Sequence, residues 1–94
     1  MKLIIKSSVR RDLDEIARYI AQDNPRRADT FANEIITKIQ TVADCPLSYP
    51  IRQEWKGELR SAVHQQYHVI YRVEGEAVII LRVLHGARDI PDLL

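Results

Sequence analysis

Three histidines, ten arginines and one cysteine are the residues of this chain best equipped for chemistry. His64 and His68 stand four apart, a spacing that would put two metal ligands on one helix face. Both fall in alternating patterns that read as strand, and no second cluster of Cys, Asp or Glu completes a site. No metal and no other cofactor is expected. Cys45 precedes Pro46 at a helix end, where the expected role is a small buried hydrophobe rather than a nucleophile paired with histidine. Three glycines in the whole chain leave no glycine-rich phosphate loop.

The arginines are more informative. Arg60, Arg72 and Arg82 each sit inside a predicted strand. A two-residue turn at Gln65-Gln66 opposes Arg60 to Tyr71 and His64 to Tyr67. A two-residue turn at Glu74-Gly75 opposes Tyr67 to Arg82. Directly opposed residues share a face. This register therefore gathers Arg60, His64, Tyr67, Tyr71 and Arg82 into a basic, aromatic surface of the kind that holds RNA phosphates and bases. A slip of one residue scatters the set. The alternative is that these arginines lie over apolar surface and pair with Glu54, Glu58 or Asp89. Beyond the last strand, Gly86 permits a backbone turn forbidden to other residues, and Arg88 and Asp89 read as an ion pair at the sheet's end.

These side chains need a scaffold, and the apolar pattern supplies one. Leu3-Ile4-Ile5 between lysines reads as a strand. Ser7 or Ser8 can cap a helix over about 9–22, with Val9, Leu13, Ile16, Ala17 and Ile20 on one face and Arg10, Arg11, Asp14, Glu15 and Arg18 on the other. Asp23-Asn24-Pro25 is the clearest punctuation: Asn24 suits an N-cap and Pro25 a first helical position. A second helix from Pro25 to about Ala43 carries the stripe Ala28, Phe31, Ala32, Ile35, Ile39 and Val42. Residues 46–57, with Pro46, Tyr49, Pro50, Trp55 and Gly57, form a long loop of the sort that often binds partners. Alternating strands over 58–64 and 67–73 follow. Ala77-Val78-Ile79-Ile80-Leu81 is apolar on both faces and reads as a central strand.

The order β-α-α-β-β-β implies an α+β domain in two layers, a helical hairpin on a mostly antiparallel sheet. A path that reverses at every element brings the first strand antiparallel to the last. Ninety-four residues make one domain, residues 1–94, with a modest core. Fourteen basic against 13 acidic residues give net +1, divided evenly: 8 and 7 in residues 1–47, 6 and 6 in residues 48–94. A protein living on nucleic-acid phosphates is usually far more basic, so protein partners are expected first. One cysteine excludes an internal disulfide. No apolar run is long enough for a signal peptide or a membrane span, so a cytoplasmic, membrane-free setting is expected.

Val83-Leu84-His85-Gly86-Ala87-Arg88-Asp89 after an apolar strand resembles the closing signature of ParE toxins, within the RelE/ParE superfamily. Asp12-Leu13 with Ile16 and Tyr19-Ile20-Ala21, Asp23-Asn24-Pro25 with Ala28 and Phe31, and Leu59-Arg60 followed by Tyr67-His68-Val69-Ile70-Tyr71-Arg72-Val73 fit in the same order. The resemblance covers nearly the whole chain. It implies a helical hairpin on an antiparallel sheet and a toxin that inhibits DNA gyrase by protein binding. It also implies neutralisation by a ParD-like antitoxin, with DNA met only indirectly through the antitoxin complex. On this reading no residue is catalytic, and Trp55, Arg60, Tyr67, Arg72, Arg82, His85 and Arg88 are the expected target or antitoxin contacts. The RelE branch instead cuts messenger RNA on the ribosome. Lys56, Arg60, Arg72, Arg82 and His85 occupy roughly comparable places, with Arg60, Arg82 and His85 as the catalytic set. No tyrosine follows Tyr71, which weighs against that branch. A degenerate member that only binds its antitoxin is a third reading.

Overall fold

The computed structural model describes all residues, 1–94. Strand β1 (Lys2–Ile5) leads into helix α1 (Ser7–Ala21), then helix α2 (Pro25–Asp44), strands β2 (Arg60–His64), β3 (Tyr67–Glu74) and β4 (Ala77–His85), and a short helix α3 (Ile90–Leu93). The sheet order is β1-β4-β3-β2. The doubly apolar strand β4 is therefore central, with neighbours on both sides. The architecture is α+β, as the element pattern implies.

One expected direction is wrong. β1 runs parallel to β4, with Lys2 opposite Ala77 and Ile5 opposite Ile80. Only Lys6 separates β1 from α1, which leaves no room for a reversal. The Lys6 amide donates to the Ile80 carbonyl, and α1 then climbs beside β4 in the same sense. Ser8 touches Leu81, Asp12 touches Arg82 and Val83, and Glu15 faces Arg88. Removing one reversal from the path turns an antiparallel pair into a parallel one.

That placement also explains how α1 begins. β1 ends opposite Ile80, so the edge of β4 beyond it has no strand partner. Buried backbone groups there need other partners. The Ser8 hydroxyl donates to the Leu81 carbonyl at 2.6 Å, and the Asp12 carboxylate accepts from the Val83 N–H at 2.9 Å. Neither serine caps α1. The N-cap is Lys6, which offers no side-chain bond. At α2 the expected cap holds: Asn24 Oδ1 accepts from the Arg27 N–H at 3.1 Å, with Pro25 at the first position.

The larger core lies between helices and sheet. It joins Val9, Phe31, Ile35, Ile39 and Val42 to Ala62, Val69, Tyr71, Val78, Ile80 and Val83. Leu13, Ile16 and Ile20, which their spacing places on the apolar face of α1 with Val9, are only half-buried against its margin. The reason is that α1 packs on β4 and α2, and nothing covers its far flank. A smaller core on the other face of the sheet holds Trp55, Leu59, Ile70, Leu84 and Ile90. The long loop and the tail helix thus cover sheet rather than hang free. Cys45, expected to be buried, is exposed at the α2 C-cap.

Candidate functional site

The β2–β3 register is as expected: Arg60 opposes Tyr71 and His64 opposes Tyr67. The β3–β4 register is not. Glu74 pairs with Ala77, so the turn residues are Gly75 and Glu76, with Gly75 at φ +59°. Leu81 is then bulged out between Ile80, opposite Tyr71, and Arg82, opposite Ile70. Tyr67 meets His85, not Arg82. The five-residue basic and aromatic surface is therefore not assembled. Arg60, His64, Tyr67 and Tyr71 share the helix-facing side, and Arg82 belongs with Ile70 on the other.

Each member of that set is engaged within the fold. Tyr71 is fully buried; its hydroxyl donates to the Pro46 carbonyl at 2.7 Å, and burial pushes its pKa up to about 12. Arg60 Nη1 donates to the Tyr49 carbonyl. His64 Nε2 lies 2.7 Å from Glu34, whose carboxylate also takes a forked contact from Arg27. Those two partners, Arg27 first and His64 second, hold Glu34 down to about 2. Arg72 meets only Glu74, at 3.2 Å and poorly aligned. None of the three strand arginines finds Glu54, Glu58 or Asp89.

Arg82 is held most firmly. Its Nε and Nη2 donate to the two oxygens of Asp12 at 2.8 and 2.9 Å, and its Nη1 to the Leu93 carbonyl at 2.7 Å. The carboxylate pushes the guanidinium's pKa above its ordinary value. Asp12 is 7% exposed and is the only buried acidic residue. The sequence reading left Asp12 without a role. Its signal is a carboxylate three residues after Val9, on the apolar side of α1.

Two grooves flank this junction. The first, of about 1040 Å³, runs between α1, the start of α2 and the β2–β3 turn. Ile16, Tyr19, Ile20 and Phe31 form its apolar wall, and Arg18, Arg27 and Arg88 its basic rim. Tyr19 is 70% exposed. Tyr67 and His85 stand at its end with rings edge-on at 5.0 Å. The Ala87 N–H donates to His85 Nδ1 at 2.9 Å, so Nε2 carries the hydrogen and donates to Gln66 Oε1 at 3.0 Å. Arg88 approaches Glu15 at 3.8 Å rather than pairing with Asp89. The neighbouring Asp92 carboxyl raises the pKa of Asp89 above its ordinary value.

The second groove, of about 820 Å³, lies on the other side of Arg82, among the N-terminus of α1, the 54–59 loop and the tail. Trp55 and Arg72 line it with Lys6, Arg11 and Lys56. The expected contact residues are thus divided. Tyr67, His85 and Arg88 line the first groove, Trp55, Arg72 and Arg82 the second, and Arg60 neither. Gly86 has no left-handed backbone angle. It is small because a Cβ there would stand 3.1 Å from His68 Nε2 and 3.3 Å from the Gln66 carbonyl. No helix is long and apolar enough to cross a membrane.

Comparisons with known proteins bear on this geometry. The family model described as ParE toxin of type II toxin–antitoxin system, parDE, matches residues 3–90. No curated protein matches the chain by sequence. Among solved structures, the chain is similar to one from the chromosomal ParDE system of P. aeruginosa. The TM-score is 0.77 at 22% identity, over 90% of this chain and 95% of that one. It is also similar to one in the RelBE2 toxin–antitoxin complex from Mycobacterium tuberculosis, with TM-score 0.59 at 27% identity over 93% and 92%.

Proposed function

The chain belongs to the ParE toxin family of type II toxin–antitoxin systems, and we propose that it acts by binding DNA gyrase and stalling replication, held in check by a ParD-like antitoxin. The observation that carries the binding reading is the separation of the residues a nuclease would need. Arg60 and His85 face the helices, opposite Tyr71 and Tyr67, roughly 13 Å apart along β3. Arg82 is on the other side, spent on Asp12 and Leu93. His85 is spent on Gln66 and Ala87. Acid–base work needs such groups within hydrogen-bond reach of one reacting centre. A surface that binds protein has no such requirement.

The antitoxin's place on this reading is the first groove. Its half-buried Ile16 and Ile20 and exposed Tyr19 form an apolar strip rimmed by arginines. An amphipathic acidic segment that folds on binding complements that surface.

The test runs a purified-gyrase supercoiling reaction beside a translating-ribosome cleavage reaction. Inhibited supercoiling with intact messenger is expected, and His85→Gln should largely keep toxicity. A general acid or base at that position would instead lose about 10²–10⁴-fold in rate. Codon-phased cuts with untouched supercoiling would replace this reading with ribosome-dependent cleavage.

A further inference from the structure

The family resemblance implies that DNA is met only through an antitoxin, and the net charge of +1 ranks protein partners first. Net charge averages over the surface, and the second groove departs from that average. Five cationic side chains line it, Lys6, Arg11, Lys56, Arg72 and Arg82, against one acidic side chain, Glu54. Glu54 is already held by Arg52 through two contacts at 2.9 and 2.8 Å. Arg82 is spent on Asp12 and Leu93. Three cations remain free, and Arg72 keeps one poorly aligned contact with Glu74 at 3.2 Å. Lys6, Arg11 and Lys56 are exposed and in no ion pair, and the buried Nε of Arg72 has no hydrogen-bond partner.

We propose that this groove binds the phosphate backbone of duplex DNA directly. The four charges come from separate segments, Lys6 between β1 and α1, Arg11 in α1, Lys56 in the 54–59 loop and Arg72 in β3, and are spread along an open groove. That layout matches a row of phosphates, which are met by mobile cationic side chains. The start of α1 adds to the field. It has no side-chain cap and no acidic residue in its first turn, so its positive end is not offset. The groove offers nothing to unpaired bases. Trp55 is 8% exposed, and the Arg52 guanidinium lies over its ring at 4.7 Å. Single-strand binders need open aromatic faces on which bases stack. Without them the readout is backbone only and independent of sequence.

This inference goes beyond the gyrase reading, and its test contains no gyrase. The purified full chain is titrated into a short labelled DNA duplex, followed by fluorescence anisotropy over a range of salt. Three or four neutralised phosphates predict a slope of about 3–4 in log K against log salt. Arg11→Gln with Lys56→Gln should lower that slope by about two. The control pair Arg26→Gln with Lys38→Gln on α2 removes the same charge away from the groove and should leave it unchanged. Melting temperatures verify that the variants fold, and Lys6→Gln with Lys56→Gln substitutes if the first pair does not. A slope below about one would overturn the proposal. So would a control pair as damaging as the groove pair. Tighter binding of single-stranded RNA would assign the groove to RNA, and tighter binding of polyglutamate would assign it to an acidic protein segment.

Discussion

Asp12→Ala tests the junction on which both grooves depend. The carboxylate accepts two bonds from Arg82 and one from the Val83 N–H, and it is almost fully buried. Removing one partner of a buried pair costs about 3–5 kcal/mol because the other charge is left uncompensated. Arg82 keeps the Leu93 carbonyl and is 26% exposed, which places its share at or below the low end. The orphaned Val83 N–H adds about 1–3 kcal/mol. Asp12→Ala should therefore cost about 3–5 kcal/mol. Asp12→Asn keeps an acceptor for Val83 and loses only the charge, so it should cost about 2–3 kcal/mol. In a domain this small 1 kcal/mol moves Tm by about 4–8 °C, so Asp12→Ala should lower Tm by about 12 °C or more. The assay is thermal unfolding of both variants and of Arg82→Met alone and combined with Asp12→Ala. Once Asp12 is gone, losing the stranded arginine should cost little or restore stability. Strict additivity of the two changes within about 0.5 kcal/mol, or a Tm for Asp12→Ala within about 2 °C of the parent, would refute the reasoning.

Ile35→Ala opens a cavity at the centre of the larger core, where Ile35 is fully buried, and should cost about 2–5 kcal/mol by denaturant unfolding. Glu34 is held down to about 2 by Arg27 and His64, from an ordinary value of 4.5. A depressed carboxyl pKa adds stability above the ordinary value and loses it as pH falls through the folded value. The Tm difference between the parent and Glu34→Gln should be full above about pH 4.5 and vanish toward pH 2. Gly86→Ala should destabilise by about 1–3 kcal/mol, because His68 and the Gln66 carbonyl leave too little space for the methyl. A neutral result in thermal melts would show that the β2–β3 turn yields freely.

The elements were legible because local signals agree with one another. Asn24-Pro25 punctuates the hairpin by its own chemistry, and α2 buries the stripe that its spacing marks. The doubly apolar run in β4 requires neighbours on both sides and has them. Direction and register were less legible because they depend on single residues. The one-residue link at Lys6 turns β1 parallel to β4, and the bulge at Leu81 carries Arg82 away from Tyr67. A bulge leaves no trace in an alternation already blurred by a strand apolar on both faces. The half-burial of Leu13, Ile16 and Ile20 was hidden for another reason. Periodicity marks which face of a helix is apolar, not how much of that face its own domain covers.

The site was legible in residue type and not in assembly, and the Arg82 environment shows why. An arginine in a strand is read from sequence as a free charge available to a ligand. Its availability depends on whether a buried carboxylate reaches it from some 70 residues away, and Asp12 does. The same contact that removes Arg82 from the ligand-binding set makes it the wall between two surfaces of different character. On one side the wall borders apolar residues that α1 leaves uncovered. On the other it borders Lys6, Arg11 and Lys56, cations in no ion pair, and Arg72, which meets only Glu74. An apolar strip and a cationic strip favour different occupants, because one gains by dehydration and the other by release of counterions. Their separation by the hydrogen-bonded Asp12–Arg82 pair lets a toxin of fewer than a hundred residues present both surfaces at once.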